Sequence, residues 1–146
     1  MNDYIVEIVL VEDSPSDAEL TIRALKKNNI TNHILHLKDG EAALDYFFGT
    51  GKYKDRDLKQ KPKVVLLDLK MPKVNGIQVL ELLKANDLTV NIPIVVLTSS
   101  KEDPDIQRCY ELGTNSYIVK PVDFDAFIKV VTQLGMYWTI LNQPPK

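Results

Sequence analysis

The sequence has very little cysteine and histidine, and it has no long apolar run. Its single cysteine, Cys109, excludes an internal disulfide framework and a multi-cysteine zinc site. No apolar run approaches the roughly 18 residues of a membrane-spanning helix. Residues 1–4 lack the basic and apolar segments of a signal peptide, so we expect a cytoplasmic protein that does not enter a membrane.

An excess of charge of one sign is also missing. Eighteen Lys and Arg stand against twenty Asp and Glu, and this net charge of −2 disfavours an electrostatic nucleic-acid binder. With 45% apolar and 26% charged residues, the chain has the composition of a folded globular protein. Its 146 residues favour one domain, with a core over about 5–134 and a helix end and tail over 135–146.

Five apolar segments predict β-strands, and helical patterns alternate with them. The strands are expected at residues 5–11, 34–37, 64–67, 94–97 and 116–119. Continuous apolar runs are typical of strands that are buried on both faces of a parallel sheet. Strands and helices that alternate through short connections indicate right-handed crossovers. We therefore predict an α/β protein with a doubly wound, flavodoxin-like five-stranded parallel sheet of order 2-1-3-4-5 and helices on both faces.

Capping residues and apolar spacing locate the helices. The helix starts are expected at Ser14, Asp39, Asn75, Asp103 and Asp123, and the fourth helix is expected to end at Gly113. Cys109 lies inside the fourth helix, where we expect it to be a buried small apolar residue. The last helix carries an apolar stripe from Phe124 to Trp138 at helical spacing.

The connection from residue 49 to residue 63 is longer than the others. It holds six basic and two acidic residues. A solvated loop is the simpler interpretation of this composition. A docking surface is the alternative, because long loops in compact domains are often functional.

Polar side chains follow four of the five predicted strands. They are Glu12 and Asp13 after the first strand, Asp68 after the third, Thr98 and Ser99 after the fourth, and Lys120 after the fifth. In an open parallel sheet, ligands bind beyond the carboxyl ends of the strands, where the strand order reverses. We therefore expect three carboxylates, a hydroxyl group and an amine to share one pocket.

The charges of this pocket predict a hard divalent cation. Asp13 and Asp68 would repel each other in an empty pocket. Mg²⁺ removes this cost, because it takes oxygen ligands and binds one or two carboxylates together with a phosphate. We expect no histidine or cysteine in the pocket, which disfavours a soft metal. Lys120, Thr98 and the metal complement the oxygens of a transferring phosphoryl group, and a carboxylate can be its acceptor.

Four motifs occur in order at the ends of these strands. They are Glu12-Asp13, then Asp68-Leu69-Lys70-Met71-Pro72 with Asn75-Gly76, then Thr98, then Lys120-Pro121. Together they resemble the receiver domain of two-component response regulators. The similarity extends from about Ile5 to Leu134, and its specificity depends on finding all four motifs at these spacings.

The resemblance implies a role in phosphorelay signalling. Asp68 would accept a phosphoryl group from a histidine kinase in a Mg²⁺-dependent reaction. Asp13, Asp68 and the backbone carbonyl of Lys70 would bind the metal, and Glu12 would reach it through a water molecule. Lys120 would pair with the phosphoryl group. Such a chain assists its own phosphorylation and dephosphorylation without being a turnover enzyme.

The same resemblance implies a conformational switch. Thr98 would move toward the phosphoryl group and draw Tyr117 from an outward to an inward position. Pro121 would follow a cis peptide bond that folds Lys120 back into the pocket. The added negative charge would fix one of two arrangements of the face that helix four, strand five and helix five form.

A narrower resemblance concerns the partners. The long loop before the third strand and the Tyr137-Trp138 ending are similar to stand-alone receivers that partner phytochrome-like histidine kinases. Those receivers tend to form homodimers through the face of helix four, strand five and helix five. We expect the stripe from Phe124 to Trp138 to take part in such a dimer. Only residues 142–146 follow the last helix, so the output would be a contact with a downstream protein.

Three alternatives stay open on the residues alone. A flavodoxin-like electron carrier would bind flavin mononucleotide, but it needs a hydroxyl- and glycine-rich phosphate loop where Glu12-Asp13 stands. An aspartyl phosphatase of the haloacid dehalogenase type would carry a second acid two residues after Asp68, where this chain has Lys70. An interaction module that is never phosphorylated is the third alternative.

Overall fold

The computed structural model describes residues 5–27 and 33–143, and its strands form one parallel sheet. The strands are β1 (Ile8–Val11), β2 (Ile34–Leu37), β3 (Val64–Leu67), β4 (Ile94–Thr98) and β5 (Ser116–Val119). Their order, β2-β1-β3-β4-β5, confirms the predicted topology. The first strand begins at Ile8, later than predicted, because its partner strands begin at Ile34 and Val64.

Five α-helices alternate with the strands in the described part of the chain. They are α1 (Pro15–Lys27), α2 (Gly40–Phe48), α3 (Gly76–Lys84), α4 (Asp103–Leu112) and α5 (Phe124–Met136). A 3₁₀ turn (Gly51–Tyr53) lies in the long connection before β3, and a π-helical turn (Tyr137–Leu141) continues α5. Among these elements no helix combines the length and the apolar character needed to cross a membrane.

Side-chain caps fix where most of the helices begin. The carboxylates of Asp39 and Asp123 accept hydrogen bonds from backbone N–H groups in the first turns of α2 and α5. The side chain of Asn75 caps α3 in a reciprocal capping box, and the Ser14 hydroxyl accepts a 3.3 Å hydrogen bond in the first turn of α1. These four helix starts are confirmed.

The start of α4 at Asp103 is confirmed, but the capping of this helix differs from the prediction. Asp103 is not the capping residue, because it is already the first residue of the helix. Glu102 occupies the capping position, but its side chain makes no capping hydrogen bond, and its backbone carbonyl accepts the first helical N–H groups, those of Asp105 and Ile106. The predicted end is confirmed: Gly113 follows the helix in a left-handed conformation with φ of 98°.

The sheet divides the core into two layers. Side chains that alternate along the strands contact opposite layers, as Val9 and Ile8 do. One layer contains buried residues of α2, α3 and α4, and the other contains buried residues of α1 and α5. Cys109 of α4 is fully buried in the first layer, as predicted.

The apolar stripe of α5 faces the sheet. Phe127 and Val131 are buried in the second core layer, and Ile128 and Trp138 are partly buried against it. Only Phe124 is well exposed among these side chains, at 56%. Most of the stripe therefore packs in the core of the monomer, and a part of the stripe in a dimer face stays a prediction.

The connection from residue 49 to residue 63 packs against its surroundings at several points. The Arg56 guanidinium lies 3.9 Å from the centroid of the Tyr46 ring, which belongs to α2. Lys63, at the end of the connection, forms a 2.8 Å ion pair with Glu7. A docking role for this connection stays a prediction.

Candidate functional site

The carboxyl ends of β1, β3, β4 and β5 meet at one edge of the sheet. Glu12 and Asp68 follow β1 and β3, Thr98 ends β4, and Lys120 follows β5. The backbone N–H of Asp68 donates to the Val11 carbonyl at 3.0 Å, and that of Lys120 donates to Thr98 at 2.7 Å. The hydrogen-bonding pattern of the sheet therefore continues past the ends of the strands. It fixes the backbone positions from which the Asp68 and Lys120 side chains extend.

Three carboxylates lie together at this edge. Glu12, Asp13 and Asp68 each place a carboxylate oxygen within 4.8 Å of the others, as the sequence predicted. Glu12 and Asp68 are buried, and Asp13 is exposed. The cluster offers oxygen atoms alone, and hard cations such as Mg²⁺ prefer oxygen ligands. Its donor set therefore fits a hard divalent cation.

Lys120 lies against this cluster. Its Nζ atom donates to Glu12 Oε1 at 2.6 Å and to Asp17 Oδ2 at 2.8 Å, and it lies 3.6 Å from Asp68 Oδ2. Burial by itself lowers the pKa of Lys120, but the hydrogen bonds to Asp17 and Glu12 outweigh burial and raise that pKa above its ordinary value. The amine therefore stays a fixed positive charge in the pocket.

Asp17 also belongs to the site, although its place in the sequence does not indicate it. An acid in the first turn of a helix is common, because it interacts favourably with the helix dipole, so its presence in α1 gave no further signal. The structure turns its carboxylate toward Lys120.

Glu12 carries a strongly shifted pKa. The pKa of Glu12 is raised to about 7; burial is the largest cause, and the negative charge of Asp68 acts in the same direction. The hydrogen bond from Lys120 and the 3.1 Å hydrogen bond from the Ser14 N–H oppose the shift. Ionisation of Glu12 in the folded chain therefore costs free energy unless another positive charge approaches the carboxylate.

Asp68 presents its two carboxylate oxygens differently. Oδ1 accepts a 2.8 Å hydrogen bond from the Leu69 N–H, and Oδ2 is the oxygen near Lys120. The side chain is 8% exposed, so only a small part of it is open to solvent. Lys70 is exposed, and the part of its carbonyl in metal binding stays a prediction.

The two predicted switch residues adjoin the loop between β4 and α4. Thr98 is fully buried, and its hydroxyl accepts a 3.4 Å hydrogen bond from the Ser100 N–H. The Tyr117 hydroxyl donates to the Ser100 carbonyl at 3.0 Å, and the Ser100 hydroxyl donates to Asp105 at 2.7 Å. This loop therefore links the end of β4 to β5 and to the first turn of α4.

One expectation about the pocket is wrong. Within the described residues every peptide bond is trans, including the one before Pro121. Lys120 reaches the carboxylates without a cis bond, because its N–H is held by Thr98 and its amine by Glu12 and Asp17.

The chain matches a known protein family over most of its length. The model of the response regulator receiver domain family matches residues 8–132, which is most of the chain. The chain belongs to the response regulator receiver domain family. The match covers the strand ends and the carboxylate cluster described above.

Several proteins are similar to this receiver over most of their length. The probable methanogenesis regulatory protein FilR2 of Methanothrix harundinacea (strain 6Ac) is 39% identical over 138 residues, which cover 94% of this chain and 86% of that protein. Response regulator Rcp1 of Synechocystis sp. is 36% identical over 131 residues, which cover 90% and 87%.

Solved structures of response regulators have the same fold as this chain. The Mn²⁺-bound form of Rcp1 has a TM-score of 0.89 at 34% identity, covering 97% of this chain and 99% of that chain. The phosphorylated cyanobacterial phytochrome response regulator RcpA has a TM-score of 0.89 at 30% identity, with the same coverage. The receiver therefore functions in two-component phosphorelay signalling, and these comparisons give no support to a flavin carrier or to an unphosphorylated module.

Proposed function

We propose that Asp68 is the phosphoacceptor of this receiver and that a histidine kinase is the phosphoryl donor. The observation that carries the proposal is the position of Asp68, a buried carboxylate between two acids and the amine of Lys120. A carboxylate oxygen of Asp68 attacks phosphorus, and the bond from phosphorus to the donor breaks with its electron pair leaving on the donor. The product is an acyl phosphate.

The acidic cluster is the proposed Mg²⁺ site. Asp13, Asp68 and the Lys70 carbonyl would hold the ion, with Glu12 contributing through water. A bound divalent cation neutralises charge on the transferring group. The fit rests on a donor set of oxygen atoms and on the raised pKa of Glu12, since burial and the charge of Asp68 disfavour its ionised form and a bound cation would favour it. The Mn²⁺-bound form of the similar protein Rcp1 supports a divalent ion here.

The remaining site residues have proposed roles in stabilising the acyl phosphate and in the conformational change that follows its formation. Lys120 pairs with the phosphoryl group, and the Thr98 hydroxyl turns toward it. That movement removes the present bond between Thr98 and the Ser100 N–H and rearranges the loop that Tyr117 contacts. The chain then assists its own phosphorylation and dephosphorylation and is not a turnover enzyme.

Acetyl phosphate provides the direct test. With Mg²⁺ present, it should add the mass of one phosphoryl group to the intact chain, and Asp68→Asn should abolish the addition because the amide is a poor nucleophile. Intact-mass spectrometry measures both. Asp87→Asn, at an exposed aspartate outside the cluster, is the matched control and should be labelled normally. Equal labelling of Asp68→Asn would refute the assignment.

A phytochrome-like histidine kinase is the proposed upstream partner. The support is similarity, since RcpA is named as a phytochrome response regulator and covers nearly the whole of this chain. We further propose that the chain acts in the cytoplasm as one domain over residues 1–146 and signals through contact with a downstream protein. The near-balance of acidic and basic residues gives it no general affinity for nucleic acid.

We propose that a homodimer forms through the face of α4, β5 and α5. Exposed apolar side chains support this surface, namely Tyr110 on α4 at 52%, Val122 before α5, and Phe124 on α5 at 56%.

Sedimentation velocity at high protein concentration should reveal this dimer. Phe124→Asp should return the chain to a monomer, because a carboxylate cannot be buried in an apolar contact without a partner. Leu82→Asp is the matched control, since Leu82 is an exposed leucine of α3 at 48% and lies outside the face. A monomer at all concentrations, with and without phosphorylation, would contradict the dimer.

A further inference from the structure

Asp17 holds the amine of Lys120 and is not part of the carboxylate cluster. Its Oδ2 atom accepts a 2.8 Å hydrogen bond from Lys120 Nζ, while the metal cluster consists of Glu12, Asp13 and Asp68. Glu12 takes a second hydrogen bond from the same amine. Asp68 lies 3.6 Å away, which is beyond ordinary hydrogen-bonding distance.

The position of Asp17 is fixed by the first turn of α1. Its N–H donates to the Ser14 hydroxyl at 3.3 Å, and its carbonyl accepts a 2.8 Å hydrogen bond from Thr21. The carboxylate is 36% exposed, whereas the Lys120 side chain is 10% exposed. A helix therefore sets the location of this acceptor, and the long, flexible lysine side chain adapts to it.

A phosphoryl group on Asp68 competes with Asp17 for the same amine. Two of the three N–H donors of the Lys120 ammonium are used by Glu12 and Asp17. A phosphoryl group on Asp68 offers several oxygen acceptors, more than the remaining N–H can serve, and hydrogen bonds to a phosphate and to a carboxylate are of similar strength. We therefore expect contact with the phosphoryl group to draw the amine away from α1. Asp17 then loses a bond that it has in the unphosphorylated chain.

We propose that Asp17 is a positioning residue that holds Lys120 toward α1 and thereby opposes the phosphorylated arrangement. The hydrogen bond to Asp17 stabilises the unphosphorylated receiver more than the phosphorylated one, so its removal favours the phosphoryl-bound state. This inference rests on the proposed function of Asp68 and Lys120.

Beryllium fluoride, a mimic of the phosphoryl group, tests the competition without turnover. In isothermal titration with Mg²⁺ present, Asp17→Asn should bind it about fivefold more tightly than the unsubstituted chain, since a neutral amide holds the amine less strongly. Asp17→Glu restores a carboxylate and should restore weaker binding. A merely structural role would show no such rescue, and thermal unfolding of each variant verifies that the fold is retained.

Glu19→Gln is the matched control, because it removes the same charge from an exposed position of the same helix. It should leave the affinity unchanged. Equal affinity of Asp17→Asn and the unsubstituted chain, or equal tightening by Glu19→Gln, overturns the role of Asp17. Failure of the unsubstituted chain to bind beryllium fluoride overturns the proposed function itself, and this inference with it.

Discussion

Gly76→Ala should destabilise the folded chain by about 3 kcal/mol, although alanine is ordinarily the better helix former by about 1 kcal/mol. Gly76 begins α3, and its N–H donates to the Leu69 carbonyl at 2.8 Å. A Cβ atom there would lie 2.2 Å from the Asp68 carbonyl oxygen and 2.7 Å from Leu69 Cα. Both neighbours are backbone atoms, so α3 and the end of β3 must move apart.

Gly113→Ala is the matched control for this effect. Gly113 has φ of 98°, and a Cβ atom there meets only the Lys84 side chain at 3.8 Å, an ordinary contact. Backbone strain alone should therefore cost about 1–2 kcal/mol. Urea unfolding of the two variants compares the costs. If Gly76→Ala unfolds at the same urea concentration as Gly113→Ala, or at a higher one, this result would contradict the close contact between Gly76 of α3 and the Asp68 backbone.

The metal-free receiver should lose about 3 kcal/mol of unfolding free energy between about pH 4.5 and pH 7. Burial raises the pKa of Glu12 from 4.5 to about 7, so the folded chain binds more protons than the unfolded chain in this window. Stability therefore falls as pH rises, since deprotonation is easier in the unfolded state. Urea unfolding near pH 5 and near pH 7.5, with a chelator present, measures the loss.

Two changes should remove this loss of stability. Glu12→Gln keeps the shape of the side chain without the ionisation, so its unfolding free energy should be nearly independent of pH in this window. Saturating Mg²⁺ should oppose the loss, because the ion binds deprotonated carboxylates of the folded chain. Glu111→Gln, at an exposed glutamate of α4, is the matched control and should keep the loss. Equal stability of the unsubstituted metal-free chain at both pH values would contradict the burial of an ionised Glu12.

The sequence predicted those parts of the site that follow from the sheet. Once 64–67 and 94–97 are identified as buried parallel strands, Asp68 and Thr98 have to lie at the same edge, whatever the details of packing. Asp17 could not be found in this way, because it belongs to a helix whose rotation and approach depend on tertiary packing. An acid in a first turn has a sufficient local explanation, so nothing in its sequence position points to Lys120.

The α5 stripe shows a different limit of sequence reasoning. Apolar residues at helical spacing predict one buried face, but the same spacing serves a monomer core and a dimer contact equally. Phe127 and Val131 face the sheet, and Phe124 precedes the point where the helix meets it. Asp103 shows a related limit, since a residue of capping type stands at the first helical position of α4 and the side chain before it makes no capping hydrogen bond.

The burial of Cys109 has a consequence for the conditions under which this protein can signal. The thiol is fully buried in α4, and burial raises its pKa to about 11. Only the thiolate reacts readily with oxidants and with other disulfides, and near neutral pH the folded chain holds almost none of it. With no second cysteine in the sequence to pair with, Cys109 gives an oxidising cell no ready thiol through which to interrupt the phosphoryl signal.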